Sequence, residues 1–287
     1  MQIPFIGSDA VAAGELTRAH LRSQYRQLYR GVYIPRRHEP SLRERIVGAS
    51  LSAPYAVITG VAASAMYGAK WVGDAVPIEL ITTNRQQRGL IVRRETLHLE
   101  EWHTMGGIRV ATPERTAFDL ARHLPRDTAV RRMDALVSAR PVALEDVILI
   151  AKSHPGVRGL RRLHTALPLV DGGAESPKET WLRLLFIDGG LPRPTTQFTV
   201  YDDDGSYVRR IDMCWEQYRV GAEYDGEQHL TSRRQYVLDV QVERVLRRLG
   251  WHVMHVIKED RGADIVEQAR AALLSRGWLP HRKQRSG

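Results

Sequence analysis

Carboxylates placed on apolar strands constrain this chain more than any other feature. Arg210-Ile211-Asp212-Met213 is followed, eleven residues after Asp212, by Glu223-Tyr224-Asp225-Gly226-Glu227-Gln228-His229. Read as strands, 207–215 and 218–225 form a hairpin turning at Glu216-Gln217, so that the numbers of paired residues sum to about 433 and Asp212 faces Gly221. Side chains on a strand alternate with period two, and directly paired residues share a face, so Glu223 and Asp225 point to the same side as Asp212. Three converging carboxylates repel one another unless a cation lies between them, and hard oxygen donors of this kind suit Mg²⁺ or Mn²⁺. The plain alternative is a solvated hairpin face with Arg210 directly opposite Glu223 as an ion pair. A three-residue turn would change the register.

The flanking pattern gives this hairpin a setting. Ser176-Pro177-Lys178-Glu179 opens an amphipathic helix to about Asp188, closed by Gly189-Gly190. A strand over 197–201, a turn at Asp202-Asp203-Asp204-Gly205 and the two hairpin strands follow. Next come a helix over about 231–249, with Leu238, Val242, Val245, Leu246 and Leu249 on its inner stripe, a strand over 252–257 and a helix over 264–276. The whole chain is therefore expected to be α/β (mixed α+β), with an αβββαβ core in its C-terminal part.

That order, together with the run Glu223-Tyr224-Asp225-Gly226-Glu227-Gln228-His229, resembles the PD-(D/E)XK endonuclease superfamily over Glu175 to about Leu274, and within it the branch similar to very-short-patch-repair endonucleases. The resemblance implies a restriction-endonuclease-like domain that hydrolyses a phosphodiester of DNA with Mg²⁺ or Mn²⁺. It implies metal held by Asp212 and Glu223, with Glu179 assisting and with Asp225 and His229 in the signature. The sequence departs from the pattern at Asp225, where the superfamily has Lys. Lys178 and His229 are the candidates to replace it. Each candidate also has a structural reading: Glu179 completes a capping box with Ser176, and His229 bonds locally at a helix entry. Arg233 and Arg234, on the polar side of the following helix, could meet a phosphate backbone.

The basic excess lies elsewhere. Residues 1–170 carry 24 Lys and Arg against 15 Asp and Glu, whereas residues 171–287 balance at 18 each. A basic half joined to a neutral half with an acidic cluster fits a DNA-binding arm on a catalytic or formerly catalytic module. The competing explanation is coding bias, since Arg outnumbers Lys 37 to 5.

In the N-terminal half, Gly14-Glu15-Leu16-Thr17, Tyr29-Arg30-Gly31-Val32-Tyr33, Thr59-Gly60 with Ala62-Ala63-Ser64, and Thr112-Pro113-Glu114-Arg115-Thr116 before Asp119-Leu120-Ala121 resemble the winged-helix and linker region of AbiEi-type antitoxins. Helices over 42–52, 59–67 and 113–124 and strands over 78–82 and 90–94 are expected. With only about 20 residues before the wing, the winged helix is expected to be truncated and to lack the helix that reads the major groove. The resemblance implies a non-catalytic DNA-binding regulator or antitoxin, with a toxin or a second copy of the chain as partner. Arg18, Arg22, Arg26 and Arg30 are then the proposed phosphate contacts, the alternative being that Arg22 and Arg26 form an ordinary solvated face.

Bulk features narrow the rest. The chain has no apolar run long enough to span a bilayer and no leader pattern at its start, so a cytoplasmic protein is expected. One cysteine, Cys214, excludes an internal disulfide and a multi-cysteine zinc site. The boundary is expected near Asp171-Gly172-Gly173-Ala174, giving a basic region over 1–170, a nuclease-like domain over 171–280 and a disordered tail over 281–287. His252 and His255, three apart on a strand, face opposite sides and are not expected to form a metal pair.

Overall fold

The computed structural model describes residues 3–226 and 233–280. The chain divides into two compact units, Met1–Val170 and Asp171–Gly287. Helices and strands mix in both, as a mixed α/β chain requires.

The first unit begins with β1 (Phe5–Ile6), α1 (Gly7–Ala12), α2 (Arg18–Gln24), β2 (Tyr25–Tyr29), β3 (Val32–Pro35) and α3 (Leu42–Ser52). Thr17 caps α2 by accepting the His20 N–H, and Ser41 with Glu44 closes a capping box on α3. The three strands form a sheet in the order β1-β3-β2, and α3 packs against all three of them. Gly31, at φ +76°, makes the β2–β3 turn that residues with a Cβ resist. Two short helices thus precede the β2–β3 ribbon. The expectation that the helix before the wing is missing is therefore corrected: α2 stands directly before β2, and none of its residues is buried.

The remainder of this unit buries one helix among a five-stranded sheet and other helices. β4 (Val57–Thr59), α4 (Gly60–Met66), β5 (Ile78–Ile81), β6 (Leu90–Arg93), β7 (Trp102–Met105) and β8 (Ile108–Ala111) precede α5 (Pro113–His123), α6 (Arg126–Ala139), α7 (Leu144–Ser153) and α8 (Leu160–Ala166). The sheet order is β6-β5-β4-β8-β7. Thr112 caps α5, Pro113 presets its first turn, and every residue from Arg115 to Arg122 is buried. α5 packs against α4, α6, α7 and α8, with Phe118 and Leu120 among the apolar side chains it buries.

The second unit runs α9 (Pro177–Asp188), β9 (Thr195–Tyr201), β10 (Tyr207–Trp215), β11 (Val220–Tyr224), α10 (Arg233–Arg248), β12 (His252–Val256) and α11 (Gly262–Ser275). Helix, three strands, helix, strand, helix is the element order read from the sequence. The strands form one sheet ordered β12-β11-β10-β9, antiparallel except for the parallel pair β11–β12. Two apolar clusters lie in this unit. One joins Leu182 and Phe186 of α9 to Ile265 and Leu273 of α11, and the other joins Leu246 of α10 to Ile211 and Cys214.

The hairpin register differs from expectation. Met213 pairs with Ala222 and Cys214 with Gly221, so paired numbers sum to 435. The turn is longer than two residues: a 3-10 turn over Glu216–Tyr218 is followed by Arg219 at φ +49°. The register changes each partner, and alternation breaks within β10, since Met213 lies with Ala222 in one apolar cluster and Ile211 with Cys214 in the other.

Candidate nucleic-acid interface and carboxylate cluster

Helix α2 and the wing carry the proposed phosphate contacts. Arg18, Arg22 and Arg30 are exposed. The α2 backbone is held from below, since Arg36 donates through Nε to the Ser23 carbonyl at 3.2 Å and through Nη2 to the Arg22 carbonyl at 2.6 Å. Arg26 is turned inward: its Nη2 donates to the His38 carbonyl at 2.8 Å and approaches Glu39 at 3.4 Å. Tyr29 is a buried core residue, and burial raises its hydroxyl pKa against the opposing effect of Arg45. Three of the four arginines named from sequence thus stand on the surface, and one is used to tie β2 to the segment after β3.

In the second unit, Glu179, Asp212 and Glu223 are drawn into one electrostatic group. Burial raises the pKa of each, and the Asp212 charge adds to the rise at both Glu179 and Glu223. Their hydrogen bonds differ. Ser176 Oγ accepts the Glu179 N–H at 3.2 Å, so the capping role exists; the Glu179 side chain accepts from the Glu175 N–H at 2.8 Å and from Gln197 at 2.9 Å. Asp212 Oδ2 accepts the Tyr224 N–H at 2.9 Å, in place of a strand carbonyl.

Glu223 is the most tightly held. Arg209 Nε donates to Oε1 at 2.7 Å and Nη2 to Oε2, a two-point pair on a carboxylate whose side chain is 6% exposed. The sequence reading placed Arg210 opposite Glu223. Instead Arg209 holds Glu223, and Arg210 pairs with Glu175 at 2.9 Å.

His255 completes the cluster. The parallel register of β11 and β12 sets it beside Glu223. Its Nδ1 lies 3.0 Å from Asp225 and its Nε2 3.0 Å from Glu243 of α10. Burial opposes its charge, but the bond to Glu243 and the charges of Asp225 and Glu223 outweigh it and raise its pKa. Glu223, Asp225 and His255 bring ligand atoms within 4.8 Å of one another; Asp212 and Glu179 stand outside that trio. His252, on the same strand, pairs with Val220 and is exposed, away from the trio.

Arg209, Glu243 and His255 were not named from the sequence, since they join the cluster only through the sheet register and the packing of α10. Lys178 lies over the rings of Trp181 and Tyr224, at 6.0 and 5.5 Å, and among the described residues no carboxylate pairs with it. His229 and the side chain of Arg234 lie outside the described residues, as does the segment 281–287; Arg233 is exposed.

The carboxylate donors are of the hard oxygen type that suits Mg²⁺ or Mn²⁺, and Asp212 and Glu179 each keep one oxygen outside the hydrogen bonds of the described residues. Glu223 has both oxygens on Arg209. The set therefore fits a metal only with Arg209 displaced.

Residues 57–169 match the model of the AbiEi antitoxin C-terminal domain. Two uncharacterized proteins of Mycobacterium tuberculosis, from the strains CDC 1551 / Oshkosh and H37Rv, are each 28% identical over 239 residues, covering 82% of this chain and 86% of theirs. No solved structure matches the chain. Among the described residues no helix is long and apolar enough to cross a membrane.

Proposed function

We propose that the chain is a DNA-binding regulator of the antitoxin kind, with α2 and the wing on DNA and the region that follows serving the antitoxin role. The observation that carries this reading is the match of residues 57–169 to an AbiEi antitoxin domain, which follows directly on a small helix pair and wing with exposed Arg18, Arg22 and Arg30. Phosphate contacts by arginines of this kind position a protein on the duplex and make binding fall steeply with salt. A toxin is the partner this reading implies.

The direct test is binding of the full chain to its own upstream DNA and to random duplex, measured by fluorescence anisotropy between about 50 and 200 mM salt, a span over which several phosphate contacts change affinity by orders of magnitude. Tighter binding to the upstream fragment with a steep salt slope supports the regulator. Binding that is absent at low salt overturns it.

A second reading has its own support in the second unit: helix, three strands, helix and strand in endonuclease order, with three carboxylates whose burial raises their pKa. A bound divalent metal would supply charge neutralisation at a phosphate and a more acidic water. Asp212, Glu179 and Glu223 would hold it, Glu223 only once Arg209 lets go. The superfamily's Lys position is Asp225, which here bonds to His255. A carboxylate cannot stabilise charge growing on a phosphate, so the unit is read as a nuclease-like module rather than an efficient hydrolase. Cleavage of plasmid DNA with Mn²⁺ that vanishes in both Asp212→Ala and Glu223→Ala would reinstate the hydrolase.

A further inference from the structure

We propose that the first unit contains a second ligand site, a basic cavity between the C-terminal end of α5 and the start of α8 that takes a phosphate-bearing ligand of mononucleotide size. The cavity measures about 510 Å³ and is lined by Arg93, Arg122, Arg158, Arg161 and Arg162, with Glu95 the one acidic side chain among its lining residues. Pockets of a few hundred cubic ångströms are the size that small ligands fill. Val157 and Leu160 supply an apolar part of the wall, suited to a sugar or base rather than to a bare ion.

The charge balance of the cavity is what points to an anion. Arg93 is neutralised by Glu79 at 2.6 Å. Glu95 is already taken up by Arg122, by Arg115 at 3.3 Å and by His123 at 3.2 Å; burial would raise its pKa, but its interactions with His123 and Arg122 outweigh that and hold the carboxyl at about 2. Glu95 thus stays ionised, but its charge is spent on partners. The side chains of Arg158, Arg161 and Arg162 are exposed and make no ion pair or hydrogen bond among the described residues. Three unmatched guanidinium groups around a concavity focus a positive potential, and guanidinium forks match phosphate oxygens two at a time.

The wall is also built rather than incidental. Arg122, 1% exposed at its side chain, donates through Nη1 to the Arg158 carbonyl at 2.8 Å, and its buried Nε has no partner. Gly159 sits at φ +96°, where a Cβ would fall 2.5 Å from the Arg122 carbonyl oxygen. Only glycine lets the 158–159 segment lie so close to the end of α5, which is what brings the arginines of α8 over Arg122. Glu95, Asp119 and His123 approach closely enough to suggest a metal, but Arg122 and Arg115 bind both carboxylates, and the surrounding arginines repel a cation.

The shared chemistry is a phosphate ester, from either a free nucleotide or a 5′-phosphorylated nucleic-acid end. The test is calorimetric titration of the full chain with inorganic phosphate and with a nucleoside monophosphate. Alongside it, anisotropy compares one short single strand bearing either a 5′-phosphate or a 5′-hydroxyl. A nucleoside monophosphate should bind more tightly than inorganic phosphate, and Arg161→Ala with Arg162→Ala should weaken it by about tenfold or more, as loss of two charged contacts to a phosphate does. Circular dichroism checks that these exposed substitutions leave the fold intact. Preference for the 5′-phosphorylated strand over the nucleotide identifies the source as a nucleic-acid end, and the reverse identifies a free nucleotide. Failure of every phosphorylated probe to bind, equal binding by the double variant, or binding of inorganic phosphate without any gain from the nucleoside would each overturn the site.

Discussion

Arg209 grips Glu223 at both carboxylate oxygens, with Nε to Oε1 at 2.7 Å, across strands that the sequence alone would pair differently. Glu223 is 4% exposed and its pKa is still raised, so the guanidinium offsets only part of what burial costs the carboxylate. The pair is half of the cluster's charge logic, His255 with Asp225 and Glu243 being the other half.

Removing the guanidinium should therefore cost stability out of proportion to the contact area lost. Arg209→Met leaves a buried carboxylate without its partner, and about 3 kcal/mol of unfolding free energy should disappear at neutral pH, as for other broken buried pairs. The double variant Arg209→Met with Glu223→Gln should recover most of it. Urea unfolding of the native chain, Arg209→Met, Glu223→Gln and the double variant measures the coupling; a loss in Arg209→Met below about 1 kcal/mol would show that Glu223 finds another partner.

The raised carboxylates set a pH dependence of definite sign. Glu179, Asp212 and Glu223 each hold their proton to higher pH folded than unfolded. Between the ordinary carboxylate pKa, near 4, and the raised folded value, the unfolded chain binds fewer protons, so these groups make stability fall as pH rises through that window. Asp212→Asn keeps an oxygen for the Tyr224 N–H while removing the charge. It should raise neutral-pH stability by on the order of 1 kcal/mol and flatten the melting temperature across that window. An unchanged profile would mean that solvent or a cation already relieves the repulsion.

How much of this was legible in the sequence divides by distance along the chain. Elements set by local chemistry, such as α5 with its Thr112 cap and Pro113, α9 with Ser176 and Pro177, and the order of strands after it, follow from caps, breakers and periodicity. The hairpin register did not, because it depends on a turn whose length is set by Arg219 in a left-handed conformation that few residues favour. His255 was visible only as a strand histidine. Its place beside Glu223 comes from a parallel pairing across α10, which no local pattern encodes. Short α2 was missed because seven residues with Leu21 their one large apolar side chain offer no apolar stripe to read.

The Thr112-to-Ala121 run makes a prediction for the region that matches the antitoxin model. Arg115 is 1% exposed; its Nε donates to Asp119 at 3.0 Å and its Nη1 contacts Glu101, which bonds His154 at 2.6 Å. Thr59 donates to the same Asp119 oxygen as Arg115 Nε does, at 2.6 Å. Arg115→Met should cost about 3 kcal/mol, since it removes the guanidinium shared by two buried carboxylates. Loss of folded protein on expression, or a melting temperature lower by several degrees, is the expected readout; a drop under about 1 kcal/mol would mean the hub repacks.

A divalent ion should act on the second unit by competing with Arg209. If the carboxylates accept Mn²⁺, millimolar ion should raise the melting temperature of the native chain, raise it further in Arg209→Met, and fail to do so in Asp212→Asn with Glu179→Gln. Differential scanning fluorimetry with Mn²⁺, Mg²⁺ and a K⁺ control at matched ionic strength separates binding from screening. No shift in either the native chain or Arg209→Met would remove the metal from the second reading altogether.

The surface of α2 yields the sharpest test of DNA binding because its arginines differ in what else they do. Arg18 and Arg22 are exposed, whereas Arg26 bonds the His38 carbonyl. Each phosphate neutralised on duplex DNA contributes about −0.9 to the slope of log affinity against log salt, so Arg18→Ala with Arg22→Ala should lower that slope by roughly 2 and leave the melting temperature unchanged. Arg26→Ala should behave in the opposite way, weakening the tie between β2 and the segment after β3 while changing the slope little. A double variant with the native slope would move the contact surface off α2 and onto another basic face of the unit.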